Sequence, residues 1–489
     1  MWRQAGRRVL HSDASFTWEQ RRQDQRLRSR FREGLMAAAP RTGSDDVIGQ
    51  LSPSLRLLLT LERFHLHRPD LYQPLAADPD FDVRYLPQRC AAFRLPCFWL
   101  SRRHLFEFID EEAELTRCPA VQDMIAGERV LLPLHPLELP HYAQFLQRSH
   151  ASNAADEGLH IWAVPTSSVR TLLAWPHESP GKAIFVKTSL RSPLLGDRRL
   201  DRSHIAGSVG LSALVRRSRP QLPPGIAFMH EPAGWLPRSG VEGGALFRIC
   251  PPGLLDGTLI AGPLFALFGG EVDRRPFILT LLERSGMEMF EFIDEILCRG
   301  FADLWLRLAL DHGLIIEAHG QDLLFGLAPD WRPRGFLYRD MEGLQIDWQL
   351  RQRRGIRDTQ SLPLEAHWYT TYGTWGYPYG ALAWYKLHIS LFQYLHFVLH
   401  ELNAALLRWR AAGLIPYVRL AEDDITALFS GHMHALLGAR FGTAAAHRYN
   451  IYRSLNRFVI SLMKLRALLQ REAGDAPGLP REVGFERME

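Results

Sequence analysis

Between residues 313 and 326 the chain reads Gly-Leu-Ile-Ile-Glu317-Ala-His319-Gly320-Gln321-Asp322-Leu-Leu-Phe-Gly326, two apolar runs around a tip with two carboxylates and an imidazole. A turn needs polar residues, and Gly320 suits a tight one. It does not need this set of titratable groups, which can hold a hard cation through carboxylate oxygens while the imidazole addresses an anion. A solvated loop with an incidental histidine is the structural alternative. The stretch from Gly335 to Ile346 repeats the design, with Arg339, Asp340, Glu342 and Gly343 at its tip. Two successive hairpins would bring Glu317, Asp322 and Asp340 together as a Mg2+ site, because Mg2+ uses one or two carboxylates and shares its shell with substrate phosphates. The chain has no Gly-x4-Gly-Lys-Ser/Thr loop, so side chains have to grip those phosphates.

Upstream, Pro165-Thr-Ser167-Ser168-Val-Arg170-Thr171 clusters hydroxyls and a guanidinium after an apolar run, a combination that binds phosphate oxygens. Sixteen residues on, Phe185-Val186-Lys187-Thr188 sets a lysine in an otherwise apolar strand. Of the 58 Lys and Arg residues only Lys182, Lys187, Lys386 and Lys464 are lysines, so an ammonium here is informative in a way that an arginine is not. A lysine snorkelling from a strand end is the alternative. The order hydroxyl and Arg, then Lys, then Glu/His/Asp, then Asp carries more than any one segment.

These residues need a large scaffold. The chain has 489 residues, 46% hydrophobic and 23% charged, with a net charge of +5, which describes an ordered globular protein of two to four domains. Five cysteines without a CxxC pair argue against a disulfide framework and a zinc site. No signal peptide, membrane span or concentrated basic stripe is evident, so a cytoplasmic protein without membrane or nucleic-acid partners is expected. The first third reads as mostly helical, with helical spacing over 51–67 and an acidic segment at 105–115 whose Glu107, Asp110, Glu111 and Glu112 read as a solvated helix face. From His160 to about Pro276, short β-branched runs alternate with Pro/Gly clusters, as strands and turns do. Helices are predicted over 287–310, 382–409 and 447–469.

In this order Ser168-Val-Arg170-Thr171, Lys187 with Arg199 twelve residues later, Glu317-Ala-His319-Gly320-Gln321-Asp322 and Arg339-Asp340-Met-Glu-Gly343 resemble the NRPS-independent siderophore (NIS) synthetases, the aerobactin-synthetase-like family. Leu134-His135-Pro136-Leu-Glu138 and Met463-Lys464-Leu-Arg466 resemble two further elements of that family. The resemblance implies a mixed α+β, hand-like architecture: a helical thumb over 1–155, β-rich fingers over 156–285, and a palm over 286–489 ending in long helices. It implies an ATP- and Mg2+-dependent ligase that adenylates citrate or a related polycarboxylate. An amine, polyamine, amino-acid or hydroxyl nucleophile then displaces AMP, and the protein can form a homodimer.

By matched position the resemblance gives Ser168, Arg170, Thr171 and Lys187 to ATP, and Arg199, His319 and Lys386 to the carboxylate substrate. Glu317, Asp322 and Asp340 go to the metal, and Lys187, Arg199 and His319 are the catalytic set. Asp322 stands where the family usually has Asn, Leu195 where it has Thr, and Glu138 where it has Gln or His. A kinase-like phosphotransferase and a non-catalytic siderophore-binding relative are the competing readings. The sequence names neither the acid nor the nucleophile, and no residue stands out as acceptor of the proton an amine must lose.

Overall fold

The computed structural model describes residues 45–63, 85–87, 91–113, 119–192, 196–198, 200–238, 243–269, 271–272, 275–346, 351, 354–356, 391, 393–415 and 424–441. Leu195, Arg199, Lys386, Lys464 and the helix expected over 447–469 lie outside the described residues. The fold is mixed α+β, as expected. Among the described residues no helix is long and apolar enough to cross a membrane.

After a short helical segment at Asp45–Gly49 comes α1 (Pro53–Glu62), where Ser52 caps the first turn by accepting the Leu55 N–H at 3.1 Å and Pro53 suits the first helical position. Its apolar face buries Leu55, Leu58, Leu59 and Leu61. Strands follow: β1 (Phe93–Arg94), β2 (Cys97–Ser101), β3 (Leu105–Ile109), β4 (Ile125–Ala126), β5 (Arg129–Pro133) and β6 (Ser152–Asn153). Here the sequence expectation is corrected, because the acidic segment starting at Leu105 is a strand. Phe106 and Phe108 alternate with Glu107 at the period of two that a strand needs. Two of its carboxylates are not solvated either, since Arg102 Nε donates to Glu107 at 2.9 Å and Arg216 forks onto the buried Asp110 at 3.0 and 3.1 Å, whereas Glu111 and Glu112 are exposed as expected.

The middle of the chain supplies β7 (Ile161–Pro165), β8 (Thr171–Pro176), β9 (Ile184–Thr188), β10 (Ile226–Phe228), β11 (Ala233–Pro237) and β12 (Ala245–Ile249). A seven-stranded, wholly antiparallel sheet runs β1-β7-β8-β9-β12-β11-β3, so strands on both sides of residue 155 share it. On one face Leu172, Val186, Trp235 and Phe247 pack with residues of the sheet β4-β5-β2-β6. The pairings Thr171↔Lys187, Lys187↔Leu246 and Phe185↔Arg248 put Thr171, Lys187 and Arg248 on the opposite face. Helix α2 (Arg202–Ser218) lies against that face, and Gly234 permits the approach, since a Cβ there would collide with Ile205.

The last part holds β13 (Ile260–Pro263), β14 (Leu323–Leu327) and β15 (Pro333–Tyr338), in a sheet of order β10-β15-β14-β13. The helix predicted over 287–310 is present from Met289 to Asp311, with wide π-type turns over Phe292–Gly300. It centres the largest core, with Phe301 stacked on Tyr394 at 3.8 Å between ring centroids. The two expected hairpins are corrected to one nested pair. Leu314–Ile315 pairs with Gln345–Ile346, and β14 pairs with β15. The apolar runs bury better as two continuous ladders, which leaves the two polar tips as facing breaks in the middle of one long hairpin.

Candidate active site

The site lies where the face carrying Lys187 meets those two breaks. Lys187 Nζ, with a side chain only 3% exposed, lies 2.8 and 3.0 Å from the oxygens of Asp340 and 2.8 Å from Glu342 Oε2. Burial disfavours the ammonium, but Asp340 and Glu342 outweigh it and lift the lysine above its ordinary range. Burial likewise opposes ionisation of Asp340, and the charges of Lys187 and Arg248 overcome it to hold that carboxyl below the usual range. Glu342 is depressed in the same way, against burial, chiefly by Lys187.

Other cations frame this centre. Arg170 Nη2 approaches Glu342 at 3.9 Å, and Arg248 Nη2 lies 3.8 Å from Asp340. Arg248 Nε donates to the buried Glu231 at 2.8 Å, and Glu231 accepts the Met341 N–H at 3.3 Å, which ties the Asp340 loop to the sheet. Ser168 Oγ donates to Thr171 Oγ1 at 2.9 Å and accepts the Thr171 N–H at 3.1 Å, so the hydroxyl loop is a closed turn beside Lys187. Val169 (φ 62°) and Asp340 (φ 76°) both adopt left-handed backbone unusual for a residue with a Cβ. Strain on both sides of one lysine is the kind that packing maintains at working sites.

A buried ion pair holds these loops together. Glu62 closes α1 at its C-terminal end, where the helix dipole disfavours a carboxylate. Its oxygens are taken by the Ser167 N–H at 3.0 Å and by both terminal nitrogens of Arg339, one of them at 3.1 Å. Arg339 Nε also donates to the Gln321 carbonyl at 3.0 Å, and the Arg339 N–H donates to the Asp322 carbonyl at 3.0 Å. The hydroxyl loop and both hairpin breaks are thus fastened at one point.

Of the residues expected from sequence, Ser168, Arg170, Thr171, Lys187 and Asp340 are brought together. Glu317 accepts from Gln393 Nε2 at 2.7 Å and lies so close to Gly343 that a Cβ there would strike it. His319 Nδ1 accepts the Gln321 N–H at 3.2 Å, and its ring sits 5.4 Å from that of Phe397. Asp322 is half-buried, and desolvation followed by the charges of Asp340 and Glu317 pushes it well above the usual carboxylate range. Among the described residues no three His, Cys, Asp or Glu side chains are already arranged as a metal-binding group. The donor chemistry nonetheless fits a hard divalent cation, which would offset the burial and the neighbouring carboxylate charges that raise Asp322.

Glu62, His204, Glu231 and Arg248 were not singled out from sequence, and Glu342 was quoted without a role. Arg248 carried a usable signal, a cation in the apolar run Ala245–Ile249 like Lys187 in its own strand. Lys182, by contrast, makes a half-exposed surface pair with Asp123.

Residues 299–400, which span both hairpin breaks, match the family described as ferric iron reductase FhuF-like transporter. No curated protein sequence matches the chain. Among solved structures it is similar to the petrobactin biosynthesis protein AsbB from Bacillus anthracis str. Sterne, at a TM-score of 0.62 and 13% identity over 92% of this chain and 80% of that one. It is similar to ATP-bound aerobactin synthetase IucA from a hypervirulent pathotype of Klebsiella pneumoniae, at a TM-score of 0.60 and 17% identity over 86% and 75%. Aerobactin synthetase IucC from the same source aligns at a TM-score of 0.54 and 16% identity, over 75% of this chain and 66% of that one.

Proposed function

We propose that this chain, which has the fold of the aerobactin-type synthetases, is an ATP-dependent siderophore synthetase that adenylates citrate or a related polycarboxylate and joins it to an amine or hydroxyl nucleophile. The observation that carries the reading is the buried ammonium of Lys187, held by Asp340 and Glu342 beside Arg170, Arg248 and the hydroxyl turn. Bringing a polycarboxylate against a nucleotide triphosphate is electrostatically costly. Fixed cations in a water-poor site offset that cost and are usually the largest catalytic contribution.

In the first step an oxygen of the acid attacks the α-phosphorus of ATP. The bond to the β-phosphate oxygen breaks, and pyrophosphate leaves. Lys187 neutralises charge growing on the α-phosphate oxygens while Ser168, Arg170 and Thr171 hold the phosphates. Glu317, Asp322 and Asp340 would hold Mg2+, which when bound supplies Lewis-acid neutralisation of phosphate charge. Arg199, His319 and Lys386 orient the acid. The acid needs no general base, because it is already ionised. In the second step the nucleophile attacks the acyl carbon and AMP leaves. A hand-like arrangement of thumb, fingers and palm whose sheets cross residues 155 and 285, a cytoplasmic location and a homodimer complete the proposal.

Purified protein with ATP, Mg2+, citrate and hydroxylamine should release AMP and pyrophosphate and form a hydroxamate. Formation of ADP would instead favour a phosphotransferase. Absence of hydroxamate with citrate and with other polycarboxylates would favour a relative that binds without catalysis.

A further inference from the structure

Glu342 makes a second contact that adenylation does not use. His204 Nε2 lies 3.4 Å from Glu342 Oε1, and His204 Nδ1 lies 2.8 Å from Asp201 Oδ1. Asp201 is the N-cap of α2, and the same oxygen accepts the His204 N–H at 2.8 Å and the Ser203 hydroxyl at 2.7 Å. The start of the helix therefore fixes the carboxylate, and the carboxylate fixes the ring. Both ring nitrogens thus face carboxylates, Nδ1 the nearer one at 2.8 Å, and Nε2, on the side of Glu342 and the lysine, is the nitrogen placed to exchange protons with a ligand there. The His204 side chain is 27% exposed, so the imidazole stands between solvent and the buried Lys187, one carboxylate away from its ammonium.

We propose that His204, oriented by Asp201, accepts the proton that an amine nucleophile loses in the second half-reaction, and that the amine enters on the His204 side of Glu342. The inference rests on the ligase reading above. In this step the amine nitrogen bonds to the acyl carbon, and the bond from that carbon to the phosphate oxygen breaks. AMP leaves with the electron pair; a protonated amine gives its first proton to Nε2 and on to water before it attacks, and the second proton leaves the amide-forming nitrogen to water. Asp201 is the main group raising the proton affinity of the ring. Burial lowers it, Glu342 from the facing loop raises it, and Lys187 from β9 lowers it, with a net displacement above the ordinary histidine range. A base works when deprotonated, so amine condensation should rise with pH through a window displaced upward from about 6.5.

The two half-reactions separate the outcomes. With citrate as acid, pyrophosphate–ATP exchange reports the first step, and condensation with 1,4-diaminobutane, protonated at neutral pH, reports the second. His204→Gln should lower diamine condensation about 100-fold or more. Exchange, and hydroxamate formation from the mostly unprotonated hydroxylamine, should fall far less, and the rising limb of the diamine pH profile should vanish. Asp201→Asn should give a smaller loss with the limb moved to lower pH. Equal losses in exchange and condensation, or an unchanged pH profile in folded His204→Gln, would overturn the assignment of His204. A wild-type protein that exchanges pyrophosphate neither with citrate nor with other polycarboxylates would overturn the ligase reading itself.

Discussion

Lys187 and Asp340, 153 residues apart in sequence, meet through two contacts of 2.8 and 3.0 Å at the centre of the site. One comes from the middle of a strand and the other from a break in a hairpin, so the pair welds the large sheet to the carboxylate loops. Each partner also displaces the ionisation of the other toward the charged form, which keeps a dry ammonium ready for an anionic ligand.

Lys187→Met should lower adenylation about 10²–10³-fold, the scale set by loss of one preorganised charge donor. It leaves two half-buried carboxylates uncompensated, so denaturant titration should also show a loss of stability, smaller than the about 3–5 kcal/mol of a fully buried pair. Lys187→Met combined with Asp340→Asn should recover part of that stability without recovering exchange. Full activity in Lys187→Met would remove the lysine from the phosphate site.

The elevated carboxyl of Asp322 acts in the opposite direction. A folded value above the unfolded one of about 3.9 gives stability that is complete below that pH and lost as pH rises through the folded value. Asp322→Asn should therefore raise the neutral-pH melting temperature. If Asp322 helps to hold the metal, the same variant should need more Mg2+ for half-maximal exchange. A lower melting temperature would contradict the repulsion inferred among Asp322, Asp340 and Glu317.

Acid should expose the contribution of Asp340. Its folded value lies below the unfolded one, so its stabilisation is present above about pH 3.9 and drains away as pH falls toward the folded value. Urea midpoints measured downward from pH 5 should fall less steeply in Asp340→Asn than in the wild type.

The buried pair Glu62–Arg339 gives a double-mutant test. Glu62→Ala or Arg339→Ala alone should cost about 3–5 kcal/mol, because each strands its partner's charge. Glu62→Leu with Arg339→Met should cost much less in stability, yet raise KM for ATP, because the Ser167 N–H and the Gln321 carbonyl lose their common anchor. Unchanged KM in a folded double variant would confine the pair to a structural role.

Much of the local structure was legible from periodicity. Leucines three and four apart with Ser52 and Pro53 ahead of them make α1, and the helix from Met289 to Asp311 follows the same rule. The strands around Lys187 were legible as β-branched runs between Pro/Gly clusters. The acidic residues after Leu105 suggest a helix face, but Phe106, Glu107 and Phe108 alternate, and that alternation becomes a strand once β11 lies beside it.

By itself the sequence determined which residues could do chemistry, because a rare lysine in an apolar strand and carboxylates crowded into turns are costly unless used. Only the tertiary structure decided which of them meet. Whether Leu314–Ile315 pairs within its own hairpin or with Gln345–Ile346 depends on the burial available to each apolar run in the assembled core. That choice sets the two polar breaks face to face. The contacts of Glu62 with Arg339, of Glu231 with the Met341 N–H and of His204 with Glu342 are likewise fixed by packing between elements far apart in sequence, and spacing along the chain carries no trace of them.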